Sequence, residues 1–300
     1  MDNEIKVSIE CLVYNQEPYL RDCLDGIVMQ KTNFRFEAIV HDDCSTDHSA
    51  DIIREYEAKY PDIIKPIYEK ENQYHKKDGL WNAVSPHLKG KYIAFCEGDD
   101  YWVDPDKLQK EVDILDADPN VMLVYTGFHN VNENGRMFFR DEYEQLMKNS
   151  KSGEMFGPEL ERNRIMTVTT CLRREVLFSD LYQRCPLKYD LAFSLAASLL
   201  GELVYLPDKT SCYRMNPGSL MNAHWDEIRN HFHKIGEYFA YAYLDSPHKK
   251  FSSAEDLSII STIIHKNMCN RALMNHLFKK KPLSIILYPF IRLYYHVKAS

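Results

Sequence analysis

The first 125 residues alternate between two periodicities, and this alternation limits the fold more than any other feature of the chain. Val7 to Val13 is an apolar, β-rich run that reads as a strand. Leu20, Cys23, Leu24, Ile27 and Val28 then recur at helical spacing behind Pro18, which suits a first helical turn. Phe36 to Val40, Ile63 to Tyr68 (weakened by Pro66), Tyr92 to Cys96 and Val121 to Tyr125 read as further strands. Between them, Ile52, Ile53 and Tyr56 mark a helix that ends before Pro61, with Ser45 or Thr46 as its expected cap. A short helix is predicted over Gly79 to Leu88, and another carries Leu108, Val112 and Leu115 behind Asp104-Pro105. Strands separated by single helices imply right-handed crossovers and a mostly parallel sheet.

Beyond this region the signal thins. Asn132 to Arg164 is polar and irregular and supports no assignment. Asp190 to Leu200 reads as helix, Leu203 to Leu206 as strand, and Asp226 to Leu244 and Leu257 to Phe278 as helices. The fold class is therefore α/β, with a mostly parallel sheet flanked by helices over residues 1–220 and a C-terminal helical region over 221–300. An apolar fraction of 45% supplies ample core, and a net charge of -7 argues against a general nucleic-acid binder. The polar, acidic start is unlike a signal peptide, and Leu283 to Ile291 is too short to span a bilayer, so a cytoplasmic location is expected. The eight cysteines are scattered with no Cys-x-x-Cys pair and are expected to be reduced thiols, several of them in the core.

Ligands in an open parallel sheet bind beyond the carboxyl ends of its strands. Those ends carry Tyr14-Asn15-Gln16-Glu17, Asp42-Asp43-Cys44-Ser45-Thr46-Asp47, Glu69-Lys70-Glu71-Asn72 and Glu97-Gly98-Asp99-Asp100. So many carboxylates along one edge repel one another unless a cation neutralises them, and Mg²⁺ or Mn²⁺ prefers such hard oxygen ligands. Neither a Gly-x-Gly-x-x-Gly nor a Gly-x-x-x-x-Gly-Lys-Ser/Thr loop is present.

Ser8 to Glu17, Ile39 to Asp47 and Tyr92 to Asp100 resemble the signature blocks of family 2 glycosyltransferases, of the kind that build bacterial polysaccharide, O-antigen or capsule. Tyr189-Asp190-Leu191, Gly201 to Pro207 and Cys212-Tyr213-Arg214 extend the likeness, which covers roughly residues 5 to 220. The resemblance implies a GT-A fold, a nucleotide-sugar donor, inverting chemistry and a hexosyl- or N-acetylhexosaminyltransferase activity. It implies that Tyr14 stacks on the nucleobase, that Leu12 lines the same pocket, and that Asp43, supported by Asp42, accepts the base's ring N–H. A ring N–H facing a carboxylate favours uracil, hence a UDP-sugar. Glu17 and Asn72 are assigned to the nucleotide-sugar site with them. Asp99 would bind the metal (Mn²⁺ or Mg²⁺), Glu97 the ribose or the metal's water shell, Asp100 the donor sugar, and Asp190 would be the general base. The acceptor would be a glycan or a lipid-linked saccharide.

The chain departs from the family pattern in two places. Gly79-Leu80-Trp81-Asn82-Ala83 lacks the diphosphate-binding arginine, for which His75, Lys76 and Lys77 are the nearby substitutes. Asn216 stands near where relatives often have His after Tyr213-Arg214, and His224 is too distant to assign. Two other readings stay open on this basis: a non-catalytic relative that only binds nucleotide-sugar or glycan, and another nucleotide-dependent phosphoryl-transfer enzyme. Finally, Lys279-Lys280-Lys281 precedes an apolar and aromatic run from Leu283 to Tyr295. It reads equally as an element in peripheral contact with the inner, cytoplasmic leaflet and as a helix packed on the domain.

Overall fold

A computed structural model describes residues 4–216, 225–245, 252–265, 271–284, 287–289 and 291. Its sheet has eight strands: β1 (Ile5–Val13), β2 (Arg35–Asp42), β3 (Ile64–Tyr68), β4 (Tyr92–Phe95), β5 (Tyr101–Trp102), β6 (Val121–Asn132), β7 (Thr170–Arg173) and β8 (Glu202–Met215). They lie in the order β3-β2-β1-β4-β7-β6-β8-β5. The half β3-β2-β1-β4 is parallel throughout, as the alternation predicts. The other half is mixed, because β7 runs antiparallel to both β4 and β6, and β5 runs antiparallel to β8. The sequence gives no warning of β7, whose four residues are all buried and so show no alternation. β6 and β8 both outrun their predicted ends at Tyr125 and Leu206 and pair in parallel as far as Asn132 and Met215.

Helices α1 (Leu20–Val28), α2 (Ser49–Lys59) and α3 (Gly79–Val84) connect the parallel strands β1 to β4, and α4 (Lys107–Ala117) links β5 to β6. Short helices α5 (Asp141–Lys148) and α6 (Phe156–Glu161) occupy the stretch that had no sequence assignment. They are followed by α7 (Arg174–Phe178), α8 (Asp180–Gln183) and α9 (Asp190–Leu200). After β8 come α10 (Trp225–Asp245), α11 (Ser253–His265) and α12 (Arg271–Lys280). The helix predicted over Leu257 to Phe278 falls on α11 and α12, with 266–270 outside the described residues.

The alternation along β1 sends its side chains to two different cores. Val7, Ile9, Cys11 and Val13 pack with α1, α2 and α4 on one face. The opposite face meets a core built by Ile39, Ile93, Phe95 and α9, to which Ile235, Phe239, Ile263, Leu273 and Leu277 of the C-terminal helices also belong. Two contacts set the geometry of the site. Phe193 of α9 stacks on Phe95 of β4 (ring centroids 4.9 Å, interplanar 9°), which brings the start of α9 over the end of β4. On the other face, α1 passes so close to β5 that a Cβ added at Gly26 would stand 2.7 Å from the Trp102 carbonyl oxygen.

The seven described cysteines are free thiols, as expected from their spacing, and Cys269 lies outside the described residues. Cys23 sits between Cys11 and Cys96 with sulfur separations of 3.7 and 3.6 Å.

Candidate active site

At the β1 and β2 ends, two loops clamp each other through side chains that sequence reading assigned elsewhere. Both pass through the left-handed region, at Asn15 (φ 52°) and Cys44 (φ 63°). Asn15 Oδ1 accepts the Thr46 backbone N–H at 2.7 Å, and Ser45 Oγ accepts the Asn15 N–H at 2.9 Å. The Glu17 N–H donates to Asp47 Oδ2, and the Glu17 carboxylate accepts the His48 N–H. Ser45 and Thr46 therefore do not cap α2, which starts at Ser49 without a side-chain cap from the preceding residue. Glu17 is exposed and braces these loops. Tyr14 leaves 49% of its surface open, while Leu12 beneath it is half-buried.

Asp43 and Asp42 close the β2 end, each almost fully buried. Both Asp43 carboxylate oxygens accept backbone N–H groups, from Gln73 at 2.6 Å and Tyr74 at 3.1 Å. The residue expected to face the base is thus also the anchor of the loop after β3, with one further lone pair on each oxygen. Asn72 Nδ2 donates to the Asp43 carbonyl at 3.3 Å, and its Oδ1, like Oδ1 of Asp42, is buried without a partner.

Beyond β4 the acids crowd. Burial pushes Glu97 up to about 8, aided by the neighbouring charges of Asp99, Asp190 and Glu10. Burial likewise raises Asp99, against the pull of Arg214 and Gln16. Asp100 is raised by burial and by Asp99 and Glu97, while the Arg214 N–H pulls it down. Arg214 of β8, 3% exposed, holds this turn together. Its N–H donates to Asp100 Oδ1 at 2.7 Å, its Nε to the Asp99 carbonyl at 2.8 Å, and its guanidinium pairs with Asp22 at 2.8 Å. Asp100 is therefore held by Arg214 through Oδ1. Among the described residues no three His, Cys, Asp or Glu side chains form a ready-made metal cage. Glu97 and Asp99, half-buried and mutually repelling, fit a cation whose remaining positions a diphosphate and water would fill.

Asp190 opens α9 from the facing side. Its Oδ1 accepts the Leu191 N–H at 2.7 Å and its Oδ2 accepts Asn163 Nδ2 at 2.9 Å. Burial raises the carboxyl above the ordinary range, and these two donors oppose the rise. Asn163 follows α6, in the stretch that carried no sequence signal, so it escaped prediction. Next to Asp190, the Tyr189 hydroxyl lies 3.0 Å from Nδ1 of His231 on α10, so a C-terminal helix reaches the site's border. In the sequence reading Arg214 is a signature residue without a role, and Glu10 is part of a strand.

The described part of the tail packs on the protein: Tyr288 meets Phe278 edge-on at 5.9 Å, and Lys280 and Lys281 pair with Asp245 and Asp256. Residues 285–286, 290 and 292–300, which carry much of the apolar run, and His224 lie outside the described residues. No helix among the described residues is long and apolar enough to cross a membrane.

Residues 8–178 match the profile of Glycosyl transferase family 2. An uncharacterised protein of Mycobacterium bovis is 32% identical over 233 residues, which are 77% of this chain but 64% of that protein, so the chain spans just under two thirds of that relative. Among solved structures, S. aureus TarS 1-349 in complex with UDP-GlcNAc aligns with a TM-score of 0.63 at 18% identity, over 98% of this chain and 92% of that one. The mannosyltransferase PcManGT from Pyrobaculum calidifontis, in complex with GDP-Man and Mn²⁺, gives 0.57 at 17% identity, over 99% and 85%. These two likenesses bear on the fold. With more than half of its residues inside the family profile, the chain belongs to glycosyl transferase family 2 and has the GT-A fold.

Proposed function

We propose that the enzyme transfers a sugar from a UDP-sugar to a hydroxyl of a glycan or lipid-linked acceptor, with inversion and with help from a divalent metal. The observation that carries this reading is the order of groups along one sheet edge. An exposed Tyr14 follows β1, the acid pair Glu97 and Asp99 follows the adjacent β4, and Asp190 opens α9, whose Phe193 stacks on Phe95 at the end of β4.

In this reading Tyr14 and Leu12 take the base, and Asp43 shapes the pocket by fixing Gln73 and Tyr74 beside it. Asp99, with Glu97 beside it, would hold Mn²⁺ or Mg²⁺, which when bound supplies Lewis-acid stabilisation to the diphosphate leaving group. Asp190, fixed by Asn163 and the Leu191 N–H, accepts the proton of the acceptor hydroxyl. The acceptor oxygen forms its bond to the anomeric carbon as the carbon–phosphate-oxygen bond breaks, and the electron pair leaves with UDP. A carboxylate on the face opposite the nucleotide favours this single displacement.

A thermal-shift screen of UDP-, GDP- and dTDP-sugars with Mn²⁺, followed by product analysis for the best donor, tests the proposal. Stabilisation by UDP-sugars above the others supports it, and stabilisation by GDP-sugars alone would overturn the choice of base. A lipid-linked acceptor would bring the chain to the cytoplasmic leaflet, where the apolar tail after Lys281 would make contact. Co-sedimentation with anionic liposomes, unchanged by truncation at residue 284, would remove that idea.

A further inference from the structure

Strand β1 carries a carboxylate that the protein itself does not account for. Glu10 lies in the middle of the strand, in register with Ile39 of β2 and Phe95 of β4, two buried residues of the same core. Ser8, its neighbour on that face, is fully buried and bonded to Glu37 at 2.9 Å. Glu10 has no such arrangement: no described group donates a hydrogen bond to its carboxylate, and burial pushes the carboxyl up to about 7. A carboxylate turned toward a core without a partner is destabilising. Yet Glu10 and Leu12 are half-open while Ile9 and Cys11, between and beside them, are fully covered. The crevice therefore reaches the sheet surface at these two positions.

What faces Glu10 there follows from its neighbours. The Cys96 N–H donates to the Glu10 carbonyl and the Gly98 N–H to the Leu12 carbonyl, both at 3.0 Å, so Glu97 lies alongside Glu10 and Leu12. Glu97 in turn feels both Asp99 and Asp190. In the proposed reaction the transferred sugar joins the diphosphate at Asp99 to the attacking oxygen at Asp190, so it must lie across Glu97. Glu10 borders that space from below, one position farther from the base pocket than Leu12 on the same strand face.

We propose that Glu10 forms the floor of the donor-sugar pocket, accepts hydrogen bonds from hydroxyls of the transferred sugar, and so helps select the donor. This rests on the crevice being a nucleotide-sugar site. Sugar hydroxyls supply the donors that the protein withholds, and a site that bonds a substrate hydroxyl discriminates strongly against analogues that lack or misplace it.

The test measures dissociation constants for UDP and for a panel of UDP-hexoses and UDP-N-acetylhexosamines with Mn²⁺, by calorimetry, in the wild type, Glu10→Gln and Glu10→Leu. The ratio of UDP-sugar to UDP affinity for the preferred sugar should fall at least tenfold in Glu10→Leu, and less in Glu10→Gln, with the UDP constant within about threefold of wild type. Glu10→Gln keeps the shape of the side chain, so the ratio remains measurable if the leucine variant fails to fold. Unchanged ratios in Glu10→Gln and Glu10→Leu, or a loss of UDP and Mn²⁺ binding in step with the sugar, would overturn the proposal. A wild type that binds no UDP would instead refute the nucleotide-sugar reading itself.

Discussion

Asp190 has two fixed donors, and its remaining lone pairs are what a general base needs. Asp190→Asn should leave UDP affinity within about threefold and lower transfer by about 10²–10⁴-fold, the usual span for a lost acid–base group, as steady-state UDP release would show. Asn163→Ala removes the side-chain donor that orients the base. It should lower kcat by about 10-fold or more with the donor KM unchanged, because small misplacements near the reacting atoms are expensive. An unaltered kcat would mean that the Leu191 N–H alone orients Asp190. At this scale the positions of Tyr14, Asp43 and Asp99 beyond strand ends, and of Asp190 at the start of a helix, were legible from the alternation of strands and helices. Their partners were not. Asn163 sits in a polar loop, and Arg214 meets Asp99 and Asp100 across more than a hundred residues of sequence, a distance that no local pattern spans.

The elements hold these side chains by close packing rather than by capping. α1 lies against β5 only because Gly26 presents no Cβ to the Trp102 backbone. Gly26→Ala should therefore destabilise the fold by about 1–3 kcal/mol, the usual range for overpacking, measured as a shifted urea midpoint at constant m-value. A neutral result would show that α1 can slide outward without loss. Periodicity exposed the parallel half of the sheet, where β1, β2 and β3 are each followed by a helix. It missed β5, β7, α5 and α6 because they are short and their pairing is decided by strands far away in sequence. The same limit explains the truncated predictions for β6 and β8, whose distal halves alternate poorly yet pair with each other.

Across the whole molecule, several buried carboxyls share one sign of pH response. Glu10 is pushed up to about 7, and Glu97 and Glu159 to about 8, against an ordinary 4.5. Between these limits the folded chain binds more protons than the unfolded one, so its stability is greatest near pH 5 and falls as pH rises toward 8. Each such group contributes at most about 1.4 kcal/mol per pH unit. The melting temperature should therefore drop by several degrees from pH 5.5 to 8, and Glu97→Gln should flatten the drop; an equally steep drop in that variant would place the effect elsewhere.

The central claim is that one crevice binds a nucleotide through Asp99 and performs chemistry through Asp190. Calorimetric titration of UDP with Mn²⁺ into the wild type, Asp99→Asn and Asp190→Asn separates these roles. Equal binding by wild type and Asp190→Asn, with at least tenfold weaker binding by Asp99→Asn, is the predicted result. Absence of UDP binding by the wild type, or equal binding by all three, would contradict it.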